Sequence, residues 1–193
     1  MYTGIVQAVR PLLDVTTYPG HNQFTIDLTP ELLDELKIGA SVSVEGTCLS
    51  VTEIAGTQVK FDAMTATLER TNLRFLKAGQ GVNIERSAKM NAEVGGHLMA
   101  GHIATTAEIV ELSIKETGAF IKFRMPPEWG KYVFPRGFIG VNGCSLTVAD
   151  VDDNVITINL IPETCARPLL PATRPAISSI SRSITRPWCW LMW

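Results

Sequence analysis

The sequence predicts an all-β protein built as two similar antiparallel units, and three observations carry that expectation. One phrase occurs twice, as Val44-Glu45-Gly46-Thr47-Cys48-Leu49-Ser50-Val51 and as Val141-Asn142-Gly143-Cys144-Ser145-Leu146-Thr147-Val148. Its landmarks keep one spacing, with Gly46 and Gly143, like Cys48 and Ser145, 97 residues apart. Short alternating runs separated by turn signals recur through both halves, as in a small antiparallel barrel or sandwich.

The offset extends well beyond the phrase. Phe61-Asp62 falls on Ile158-Asn159, and Thr67, Arg70 and Leu73 fall on Thr164, Arg167 and Leu170. Thr29-Pro30-Glu31 falls on Pro126-Pro127-Glu128, each a helix opening with Pro in the first turn. Near the starts Gly4-Ile5 aligns with His102-Ile103 at an offset of 98, which implies one residue gained or lost between them. At 193 residues the chain suits two small domains, expected over 1–97 and 98–165.

In chain order, residues 4–10 and 23–28 alternate like half-buried strands, with Tyr18-Pro19-Gly20 turning between them. Thr29 to Leu36 reads as a short helix, with Thr29 as N-cap, Pro30 first, and Gly39 as the stop. The first copy of the phrase is a turn running into a strand, followed by a turn at Gly56 and a strand over Val59–Ala63. Residues 65–73 read as a loop with a helical turn. Residues 82–86 close the unit after the turn Ala78-Gly79-Gln80-Gly81, and the plan repeats from Gly101. Gly95-Gly96-His97-Leu98-Met99-Ala100-Gly101-His102 bridges the two halves.

Composition narrows the function classes. A net charge of −2 and a pI near 5.9 lack the basic stripe of a nucleic-acid binder. Cys48, Cys144, Cys165 and Cys189 form no C-x-x-C pair and no Cys/His cluster with zinc spacing, so no metal site is expected. They read as reduced thiols of a cytoplasmic protein. No signal peptide is visible at Met1-Tyr2-Thr3-Gly4, and no apolar run reaches the roughly eighteen residues a membrane span needs.

Taken together, Met1-Tyr2-Thr3-Gly4-Ile5-Val6, the doubled G-x-[CS]-L-[ST]-V and the linker G-G-H-L-x-x-G-H resemble the riboflavin synthase family over residues 1 to about 164. The resemblance implies two similar six-stranded antiparallel barrels with short helices and a carboxy-terminal helix. It implies dismutation of two 6,7-dimethyl-8-ribityllumazine molecules, giving riboflavin and 5-amino-6-(ribitylamino)pyrimidinedione, with no cofactor. It implies a homotrimer whose sites form between the amino-terminal barrel of one chain and the carboxy-terminal barrel of a neighbour, with lumazine synthase a candidate partner. A duplicated fold suits a dismutation, because two related pockets can orient two copies of one substrate face to face.

By the same resemblance, Cys48, Ser145 and His102 are catalytic candidates. Taken alone, a free Cys in a strand is a small buried hydrophobe, and a Ser after Gly is turn chemistry. His102 could shuttle a proton near neutrality, its plain alternative being a linker histidine on a backbone carbonyl. His97 reads as structural and His21 as a surface residue. The family's ligand-contacting stretches match Gly4, Ile5, Val6, Cys48, Leu49, Ser50, Asp62, Ala63, Met64, Thr65, Ala66 and Thr67 in the first half. In the second they match Gly101, His102, Ile103, Ser145, Leu146, Thr147, Asn159, Leu160, Ile161, Pro162, Glu163 and Thr164. Arg136 matches a basic residue that reaches a neighbouring chain's ligand. The rival function is a non-catalytic lumazine- or flavin-binding protein, and a blander one is a barrel with no ligand.

After Thr164 the repeat breaks. Residues 82–86 project onto Ser179-Ile180-Ser181-Arg182-Ser183, and the Gly79-Gln80-Gly81 turn onto Ala176-Ile177-Ser178 without a glycine. From Cys165 to Trp193 there is no Asp or Glu, and three of the four tryptophans lie in the last six residues. This predicts a second barrel missing its last strand and an aberrant tail over 166–193 lacking the family helix, with a shifted reading frame near codon 165 as the simplest cause. An unpaired edge, a monomeric or aggregated chain and low turnover would follow.

Overall fold

The structure, a computed structural model, describes residues 1–115, 118–162, 164 and 178–181. Six strands form the first barrel: β1 (Ala8–Tyr18), β2 (His21–Asp27), β3 (Ser41–Val44), β4 (Thr47–Ala55), β5 (Gln58–Met64) and β6 (Gly81–Arg86). They close in the order β1-β2-β5-β4-β3-β6, every pairing antiparallel. The second barrel uses β7 (Ile103–Lys115), β8 (Gly118–Arg124), β9 (Phe138–Val141), β10 (Cys144–Asp152), β11 (Val155–Leu160) and β12 (Ser178–Ser181), in the order β10-β11-β8-β7-β12-β9. Helices are brief: α1 (Pro30–Leu33), α2 (Thr65–Arg70) and α3 (Pro127–Gly130).

The duplication extends to irregularities. The pairing of β1 with β2 slips between Leu12 and Asp14, and that of β7 with β8 between Ile109 and Glu111. The pairing of β4 with β5 slips between Val51 and Glu53, and that of β10 with β11 between Val148 and Asp150. Each bulge recurs 97 residues on, so the bends that curl each sheet into a ring are part of the repeat. Alternation then sorts the side chains. In β4, Leu49 and Val51 enter a core with Phe24, Phe61 and Ile84, while Cys48 and Ser50 face outward. In β10, Leu146 and Val148 enter a core with Ile121, Phe123 and Ile158, while Ser145 and Thr147 face outward.

Several expectations change. Gly4 (φ 76) and Gly101 (φ 75) hold the same left-handed conformation, so the repeat keeps its offset of 97 at the start and no residue is gained or lost. The strand expected from residue 4 begins at Ala8, because the left-handed Gly4 cannot continue a strand. The first helix ends at Leu33 rather than Leu36, with Glu35 at φ 53. Residues 65–73 resolve into α2 and a 3-10 turn over Asn72–Phe75.

The strand expected to be missing from the second barrel is also present. β12 lies between β7 and β9, with Ile180 opposite Thr105 on one side and Val141 on the other. Ile84 of β6 likewise stands opposite Ala8 and Val44. The second ring is closed and that edge is paired. Ladder hydrogen bonds join backbone groups, so a serine-rich segment with no apolar alternation can still occupy an open edge. The remainder of the tail, and with it the family helix and the frame shift, lies outside the described residues.

Candidate functional site

The two copies of the phrase form two-residue hairpin loops, closed by Val44 opposite Thr47 and Val141 opposite Cys144. Glu45 (φ 51) and Gly46 (φ 80), like Asn142 (φ 47) and Gly143 (φ 84), take positive φ at both central positions, the type I′ arrangement that suits strand twist. The loops meet back to back. A Cβ on Gly46 would stand 2.5 Å from the Gly143 nitrogen, and one on Gly143 would stand 3.0 Å from the Gly46 nitrogen.

Around that contact lies a buried polar cluster. The Glu45 carboxylate accepts from the Asn83 backbone N–H at 2.7 Å and from Asn72 Nδ2 at 3.2 Å. Asn83 Nδ2 donates to the Asn142 carbonyl at 3.0 Å, which ties the first barrel to the second barrel's turn. Burial pushes the Glu45 carboxyl up to about 7, against the opposing hydrogen bonds from Asn83 and Asn72.

Each barrel's leading segment crosses to the other barrel. Tyr2 and Met99 exchange backbone hydrogen bonds of 2.8 and 2.9 Å, laying the two leaders side by side. The Ser145 N–H then donates to the Gly4 carbonyl, and the Cys48 N–H to the Gly101 carbonyl, both at 2.8 Å. Val6 packs against the second core rather than the first. The Glu85 carboxylate holds the first leader, accepting from Thr3 N at 2.6 Å, Thr3 Oγ1 at 2.8 Å and Gly4 N at 3.0 Å. Burial raises its carboxyl, opposed by those bonds.

The candidate residues therefore divide into two composite faces rather than by halves of the chain. One joins Gly101, His102 and Ile103 to Cys48, Leu49 and Ser50, with α2 lying against β2, β5 and β7 to bring in Thr65, Ala66 and Thr67. The other joins Gly4, Ile5 and Val6 to Ser145, Leu146 and Thr147. Beside these, Asp62 and Asn159 point outward on β5 and β11. Leu49, Ala63, Leu146 and Leu160 have their side chains in the barrel cores, so only their backbone is available to a ligand. Met64 (60% exposed) and Ile161 (64%), again 97 residues apart, leave an apolar residue beside each face. Pro162 is exposed and Thr164 half-buried, while Glu163 lies outside the described residues.

Two side-chain pairs complete the faces. The Tyr2 hydroxyl donates to Cys48 Sγ at 3.1 Å. His97 Nδ1 and Ser145 Oγ share a hydrogen bond of 2.6 Å, and the ring stacks on Phe138 at 5.4 Å. Burial holds His97 below the ordinary histidine range, so the neutral ring prevails near pH 7. His97, which reads as structural from sequence, thus lies at the Ser145 face, whereas His102, the expected shuttle, is exposed beside the Cys48 face. The signal for His97 is Gly96. A Cβ there would collide with the Thr3 carbonyl and the Ser145 side chain, so the glycine is what lets the linker press His97 against the serine. Arg136 is exposed at φ 68, the position Gly39 (φ 83) holds in the first repeat. A cavity of about 930 Å³ adjoins the second face through Ile5 and runs under the 87–95 linker, bounded also by Glu85, Lys89 and Val94.

Comparison with known proteins gives the family. The sequence matches the Lumazine binding domain family over residues 3–87 and 100–177. It is 45% identical to riboflavin synthase of Escherichia coli (strain K12) over 171 residues, covering 88% of this chain and 80% of that protein. It is 33% identical to riboflavin synthase of Bacillus subtilis (strain 168) over 164 residues, covering 85% and 76%. The fold is similar to a crystal structure of LumP complexed with riboflavin, with a TM-score of 0.86 at 23% identity, covering 93% of this chain and 98% of that one.

Proposed function

This chain belongs to the lumazine-binding domain family as a riboflavin synthase-like enzyme, and on that premise we propose how its two faces serve the dismutation of 6,7-dimethyl-8-ribityllumazine. One face centred on Cys48 and one centred on Ser145 each bind one lumazine. Outward Ser50, Asp62, Thr147 and Asn159 side chains, with the backbone of the crossing leaders, suit a pteridine edge and a ribityl chain, both dense in donors and acceptors. The observation that carries this reading is the reciprocal crossing, Cys48 N–H to Gly101 and Ser145 N–H to Gly4.

The reaction moves a four-carbon unit from one lumazine to the other, leaving riboflavin and the aminopyrimidinedione. Its first demand is removal of a proton from the acidic 7-methyl group. The His97–Ser145 pair at one face and His102 beside Cys48 at the other are the groups proposed to hold and move that proton. Orientation supplies most of the remaining acceleration. The two faces of one chain lie on different barrels, so self-association, as the homotrimer the family resemblance implies, would bring a Cys48 face against a neighbour's Ser145 face. Arg136 would reach across that junction, and a cytoplasmic setting is proposed with it.

Mixing the purified protein with 6,7-dimethyl-8-ribityllumazine tests the reading. Steady formation of one riboflavin for two lumazines consumed is the expected result. A single spectral shift with no riboflavin would make the chain a binding protein instead, and no shift would sink both readings. Sedimentation of the same sample reports the assembly.

A further inference from the structure

The two faces are equivalent in backbone yet differ in the side chain each crossing leader contributes. Tyr2 lies against Cys48, while its repeat partner Met99 lies 97 residues on beside Gly4 and Ser145. Met99 has no proton to donate. Tyr2 does, and its hydroxyl is 3.1 Å from Cys48 Sγ.

The phenol is held on all sides. Tyr2 is 1% exposed, and its backbone is fixed by the two bonds to Met99. A Cβ on Gly101 would stand 2.7 Å from both the Tyr2 ring edge and Cys48 Cβ, so the left-handed Gly101 clamps ring and cysteine together. Burial, then the Cys48 contact, push the phenol upward, so it stays protonated and donates across the working pH range. Cys48 is half-buried and reachable, whereas Cys144, in the core, is 4% exposed and its thiol is pushed up by burial.

We propose that Tyr2 is a positioning residue for Cys48, its hydroxyl fixing the orientation of the sulfur at the first face. A directional donor on a buried, immobile ring holds its acceptor to one side-chain orientation. The two lumazine faces thereby become chemically distinct, Cys48 served by a phenol and Ser145 by an imidazole. The role deepens the proposed synthase reading and rests on it only for its kinetic consequence.

The test is Tyr2→Phe, which removes one oxygen and keeps the ring. Alkylation of Cys48 by iodoacetamide is followed at one fixed pH in native and variant protein, with peptide mass spectrometry separating it from Cys144, Cys165 and Cys189. The expected result is a Cys48 rate about tenfold lower, the size expected when a hydrogen bond that holds the sulfur in one orientation is lost. The turnover assay should show kcat lowered with KM nearly unchanged. Thermal unfolding of both proteins reports whether the ring still packs. An unchanged Cys48 rate in folded Tyr2→Phe overturns the proposal. A lowered rate in a protein with no turnover would support the Tyr2 role and count against the synthase reading instead.

Discussion

At the scale of single residues, two side chains sit where physical chemistry penalises them. Glu45 is 4% exposed, and burial lifts its carboxyl from 4.5 to about 7. Between those values the folded protein keeps a proton that the unfolded chain has released. The native state then binds more protons, and stability falls as pH rises through the window. The loss is on the order of 3 kcal/mol when complete, because each tenfold difference in proton affinity between the folded and unfolded states is worth about 1.4 kcal/mol. Urea unfolding at pH 4.5 and pH 8 should show that loss in native protein and a much smaller one in Glu45→Gln, whose amide keeps the shape without the charge. Parallel losses in the two proteins would mean that Glu45 is not the source. Arg136 carries a different cost, since a non-glycine in the left-handed region costs about 1–2 kcal/mol and Gly39 avoids it at the equivalent position. Strain retained without local need points to a task for the side chain. Arg136→Gly should leave stability unchanged or raise it by up to about 1 kcal/mol, the relief partly offset by greater freedom of the unfolded chain, while raising KM for the lumazine. A drop in stability beyond about 1 kcal/mol with normal kinetics would show that the arginine is structural.

Among the elements, the joined hairpin loops do most to fix how the barrels meet. Gly46 and Gly143 are both left-handed and both in contact, whereas Gly20 is left-handed (φ 90) with nothing within 4 Å of a Cβ. Gly20→Ala therefore measures the conformational penalty alone, about 1–2 kcal/mol. Gly46→Ala adds a collision with the Gly143 backbone and should cost about 1–3 kcal/mol more. Equal losses by chemical denaturation would show that the loops can separate freely. These loops are legible in sequence because a doubled Gly phrase before alternating strands has few other solutions. So are most strands, whose period of two separates Leu49 and Val51 from Cys48 and Ser50. The crossing leaders are not legible. Gly4-Ile5-Val6 reads as an alternating strand of its own barrel, and only the left-handed turn at Gly4 carries it across. β12 is hidden for another reason, since a strand held by backbone bonds need not announce itself in its side chains.

For the whole molecule, the repeat predicts two pockets by counting along the chain, yet each is assembled from both halves. Counting along the chain groups His102 with the second-half stretch around Ser145, whereas the crossing leader sets it beside Cys48, and nothing local shows that His97 lies against Ser145, 48 positions away. Such pairings arise from topology, which periodicity does not encode. The same topology sets apart folding and binding in a fragment. The first barrel closes within residues 8–86 around its own core, from Leu12 and Phe24 to Val82 and Ile84, so residues 1–97 should fold alone with a cooperative transition. That fragment keeps Cys48 but lacks the Gly101 carbonyl that receives the Cys48 N–H, and with it the Gly101–Ile103 side of the face. A fragment ending at Ala104 restores that segment without adding the second barrel. Fluorescence titration with 6,7-dimethyl-8-ribityllumazine should therefore show the longer fragment binding about tenfold tighter, the worth of one or two hydrogen bonds and the ordered backbone beside them. Two folded fragments of equal affinity would mean that the crossing leader packs the barrels together without shaping the pocket.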